Sequence, residues 1–197
     1  MQKVLSFVLI ALLVVFFGCK KDESSSSNPT SPNNTTSNLL GSGSLSFTAG
    51  SLGSFSFSGS WTGASVGSSG TAVEALTGKS GSDYGAIIYA YTWHSSTNWD
   101  NAMLDLANTG TPITTGTYVP GANNNELAFT FTKGSTSSTD FSNEYILTSG
   151  SCQLTSYSSG GMKGTFSGTA MRVSDQTTVS VTNGSFNVTF GTTQMSK

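Results

Sequence analysis

The stretch YAYTWHSSTNWDN, residues 89–101, gathers two tyrosines, two tryptophans, an aspartate and two asparagines. Tyr89, Tyr91 and Trp93 alternate, so an extended chain sets all three on one face. Trp99, Asp100 and Asn101 follow in a polar segment that reads as the loop beyond the strand. Aromatic planes beside amide and carboxylate groups are what saccharide recognition uses: the ring packs on a sugar's C–H face and the polar groups orient its hydroxyls. For Tyr89, Tyr91 and Trp93, on the strand, core packing is the expected role. Trp99, set among polar residues, is the expected stacking platform, with Trp93 beside it and Asp100 or Asn101 orienting hydroxyls.

Other patterns carry less chemistry. GASVG, residues 63–67, fits G-x-S-x-G with Ser65 as nucleophile, but that motif works on a strand-to-helix turn and no helix-length segment follows. His94 is the only imidazole, so neither a second histidine nor a cysteine pair is at hand to complete a zinc site. TGKS, 77–80, lacks the glycine of a phosphate loop, the position five before Gly78 being Val73. Oxygen ligands for calcium exist in NNNE (123–126) and DFSNE (140–144), yet neither has the spacing of a known loop class, and turn chemistry accounts for both. No cofactor and no metal are expected, and the acids alone do not make an enzyme, because paired carboxylates need a cleft that no motif announces.

The elements that must position these residues are strands. Period-two alternation recurs at Leu45/Phe47/Ala49, Phe55/Phe57/Trp61, Leu127/Phe129/Phe131, Phe166/Gly168/Ala170 and Phe186/Val188/Phe190, and no window keeps helical spacing for three turns. Asn183-Gly184 between two alternating runs predicts a two-residue hairpin joining the last two strands, and Gly160-Gly161 predicts another tight reversal. YGAIIYAYTW, 84–93, is apolar on both faces, which implies a strand with neighbours and cover on both sides. The expected fold is all-β: a single antiparallel domain of about nine or ten strands, either a β-sandwich or a β-barrel, over residues 45–197.

Composition narrows the partners. Only 9% of the chain is charged, against a usual value of about 25%. From residue 45 onward eight acids face five basic residues with no basic cluster, so nucleic acid is not an expected partner. Residues 24–38, SSSSNPTSPNNTTSN, hold no apolar or charged side chain and read as a disordered tether, part of a linker over 19–44. Cys152 shares a strand face with Leu154 and reads as a small buried residue.

Ahead of the tether, Lys3, the apolar run Val4–Phe17 and Gly18 have the three-part pattern of a secretory signal peptide over 1–18. As a helix the run would cover only about 21 Å, short of the ~30 Å hydrocarbon core. FFGC, 16–19, resembles the lipobox of bacterial lipoproteins, which implies that Cys19 is acylated and becomes the first residue of a membrane-anchored chain. Several acyl chains hold durably where a single one gives marginal binding. Lys20 in place of an inner-membrane aspartate, followed by KDE at 21–23, resembles the outer-membrane and surface-export signals of Bacteroidota lipoproteins. From residue 116 onward, GTYVPGANNNELAFTF, YILTSGSCQLTSYSSGGMKGTFSGTA and VTNGSFNVTF resemble the C-terminal part of uncharacterised small lipoproteins of that group. The resemblance implies an address and a fold, and no chemistry.

Three classes of function follow: a surface binding or adhesion module directed at glycans or another surface partner, a carrier of lipid or a small apolar ligand if a barrel encloses a cavity, and a glycan-directed hydrolase if two acids face each other across a cleft.

Overall fold

The computed structural model describes residues 40–60, 70–95, 97–135 and 142–191. The signal peptide, Cys19, most of the linker, Trp61, Ser65, Asp140 and residues 192–197 lie outside the described residues.

Ten strands are described: β1 (Ser42–Ala49), β2 (Ser54–Ser60), β3 (Gly70–Ser80), β4 (Asp83–Ser95), β5 (Asn98–Thr109), β6 (Gly116–Tyr118), β7 (Glu126–Ser135), β8 (Glu144–Ser158), β9 (Gly161–Arg172) and β10 (Thr178–Thr189). Among the described residues the one helical element is a single 3-10 turn, Gly50–Leu52. The strands form one antiparallel sheet in the order β2-β1-β10-β9-β8-β7-β5-β4-β3, with β6 paired to β8. From β3 to β10 the chain runs up and down beside itself, and β10 then pairs with β1 along its length. That return brings the ends of the sheet together and leaves a seam between β2 and β3.

Side chains and flanking segments bridge the seam. Ser58 N–H donates to Thr71 Oγ1 at 3.0 Å, and the Thr71 hydroxyl donates back to Ser58 O. Farther along, Ala75 N–H donates to Leu40 O at 2.8 Å and Gly191 N–H donates to Ala75 O at 3.0 Å. The domain is thus an antiparallel sheet nearly closed into a barrel, which resolves the choice between sandwich and barrel.

The alternation decides which face turns inward. Leu45, Phe47, Phe55, Phe57, Val73, Ile88, Leu104, Phe129, Phe131 and Phe166 belong to one buried cluster that fills the interior. Phe47 sits at its centre, stacked on Phe55 at 4.6 Å and 8° and meeting Phe129 edge-on at 5.1 Å and 90°. Cys152 is fully buried beside them, and desolvation pushes its thiol up to about 12. A barrel of this size has an interior wide enough for side chains to fill, and phenyl rings use that width.

One predicted turn is corrected. Asn183-Gly184 joins no hairpin; it is a bulge inside the continuous strand β10. Val181 pairs with Gly168 and Gly184 with Phe166, so Thr182 and Asn183 both stand opposite Ser167. Asn183 takes φ 53°, and a Cβ on Gly184 would lie 2.4 Å from Phe166 O and 2.7 Å from its ring. The dipeptide supplies the left-handed backbone that a type I′ turn needs, but from Val181 to Thr189 β10 runs between β1 and β9, and those two ladders keep it straight. The last two strands reverse instead through residues 173–177, where Arg172 N–H donates to Thr177 O at 2.8 Å and Thr177 N–H donates to Asp175 Oδ1 at 3.0 Å. The other predicted reversal is present, with Ser158 paired to Gly161 around Ser159 and Gly160.

Candidate functional site

Strands β4 and β5 form a long hairpin, and its register assembles the aromatic group. Trp93 pairs directly with Trp99, Tyr91 with Asn101, and Tyr89 with Met103. The intervening residues Ile88, Ala90, Ala102 and Leu104 point into the packed interior. Tyr89, Tyr91, Trp93, Trp99 and Asn101 therefore share the outer face of the barrel. The rings of Tyr91 and Trp93 stack at 5.6 Å and 15°, and all five residues are half-buried.

Two expectations are corrected here. Tyr89, Tyr91 and Trp93 are not part of the barrel core, because the core side of β4 is taken by its small and aliphatic residues. Trp99 to Asn101 are not in a loop; they open β5, extended by the pairing with Trp93, Thr92 and Tyr91. Alternation then splits the three. Trp99 and Asn101 lie with Trp93, whereas Asp100 faces the other way, opposite Thr92.

On that opposite face Asp100 has a structural task. Its Oδ2 lies 3.0 Å from His94 Nε2 and its Oδ1 accepts the Gly134 N–H at 2.8 Å, tying the hairpin end to β7. His94, set at the strand end as expected, has Asp100 as its neighbour, with Nε2 3.0 Å from Oδ2.

Below the aromatic group the outer face carries acids that pattern reading passed over. Glu74 pairs with Tyr89, and Asp105 lies on β5 opposite Ile87. Burial pushes the Glu74 carboxyl up to about 7. Burial first, and Glu126 second, push Asp105 up to about 7. Burial also raises both tyrosine hydroxyls of this face, and Tyr89 Oη is buried with no hydrogen-bond partner among the described residues. The signal for this patch was the doubly apolar strand 84–93: with the interior side occupied, its second apolar face had to line something else.

Among the described residues no group of three His, Cys, Asp or Glu is placed to hold a metal. In the NNNE segment Asn124 Oδ1 accepts the Thr109 N–H at 3.2 Å and Asn125 takes φ 54°, so these residues build the turn before β7. The chain matches no protein-family model, no curated protein and no solved structure.

Proposed function

We propose that this chain is an outer-membrane-anchored lipoprotein whose barrel domain is a surface binding module for saccharides, contacting its ligand through Trp99, Trp93, Tyr91 and Asn101. One observation carries the reading: two tryptophans paired across a hairpin, with a stacked tyrosine and an amide beside them, lie on the outside of a barrel whose inside is packed with side chains. A filled interior has no room for apolar cargo, which counts against the carrier. An aromatic plane extended over two strands suits the C–H face of a pyranose, and Asn101 offers a donor and an acceptor next to it. Asp100, turned to His94, drops out of the proposed site and Tyr91 joins it.

The glycan test is Trp99→Ala. Binding on a glycan array should fall at least tenfold while the far-ultraviolet circular dichroism spectrum is unchanged; unchanged binding by the folded variant would discard the site. The anchor has its own test. Mass spectrometry of the mature N-terminus should find an acylated Cys19 and no residues 1–18, and Cys19→Ser should release the domain from the membrane. An unmodified Cys19 on a soluble chain would end the lipoprotein reading.

A further inference from the structure

We draw no further inference here: the strongest candidate, the exterior face of β3, β4 and β5 below the aromatic group, where Leu76 and Ile87 are buried beside Glu74 and Asp105 although they stand outside the core cluster, carries nothing because nothing in the structure shows what covers it.

Discussion

At the scale of single residues, the clearest consequence concerns Glu74 and Asp105. Their carboxyls move from ordinary values of 4.5 and 3.8 up to about 7 in the folded chain, chiefly because burial penalises the charged form. The native state therefore holds protons that the unfolded chain has already lost between those values, and stability falls as pH rises through that window. Above about 7 both states are ionised and the curve flattens. Melting temperature should drop between pH 4.5 and 7 by several degrees, at roughly 2–4 °C per kcal/mol for a domain of this size. Glu74→Gln together with Asp105→Asn should raise the melting temperature at pH 8 and remove most of the slope. A melting temperature that climbs between pH 4.5 and 7 in the natural chain and is unaffected by the amides would contradict the assignment.

At the scale of elements, the Asn183-Gly184 bulge separates two kinds of glycine requirement. Asn183 needs a left-handed backbone and no particular side chain, so Asn183→Gly should change stability by only a few tenths of a kcal/mol. Gly184 needs empty space, since a Cβ would meet Phe166 O at 2.4 Å; Gly184→Ala should cost about 1–3 kcal/mol. Chemical denaturation of both variants checks the contrast, and equal costs would show that the bulge is misassigned. The same dipeptide marks where sequence reasoning stopped. Alternation correctly assigned the inner positions of β1, β2, β7 and β9, because one apolar face in a polar background has only one place to go. Asn-Gly reads as a hairpin, but hairpin and bulge ask for the same backbone, and only the long-range pairing of β10 with β1 and β9 chooses between them. The polar run HSSTN reads as a loop that would include Trp99, yet the strand resumes there through a pairing with Trp93 that no local signal announces. For β4, apolar on both faces, the pattern could not say which side was interior. The packing answers: Ala86, Ile88 and Ala90 go inward against the phenylalanines, and Ile87, Tyr89, Tyr91 and Trp93 go outward.

At the scale of the whole molecule, a barrel that is filled rather than hollow makes inside and outside energetically unlike even for adjacent residues. Phe47 and Ser46 are neighbours on β1, yet alternation sends the first into the centre of the phenylalanine cluster and the second to the exposed face, where its Oγ lies 3.1 Å from Ser185 Oγ. Phe47 contacts five other phenylalanine rings, and truncating it removes the piece on which strands from both halves of the barrel converge. Phe47→Ala should cost about 3–5 kcal/mol, the range for a buried aromatic that leaves a cavity behind. Ser46→Ala loses one exposed hydroxyl contact to Ser185 and should stay within about 0.5 kcal/mol. Urea midpoints of the two variants measure the difference. A barrel with an open, ligand-ready interior would tolerate the smaller side chain at 47 and take up an apolar ligand in its place; a stability loss near 0.5 kcal/mol for Phe47→Ala would therefore revive the carrier that the packed interior argues against.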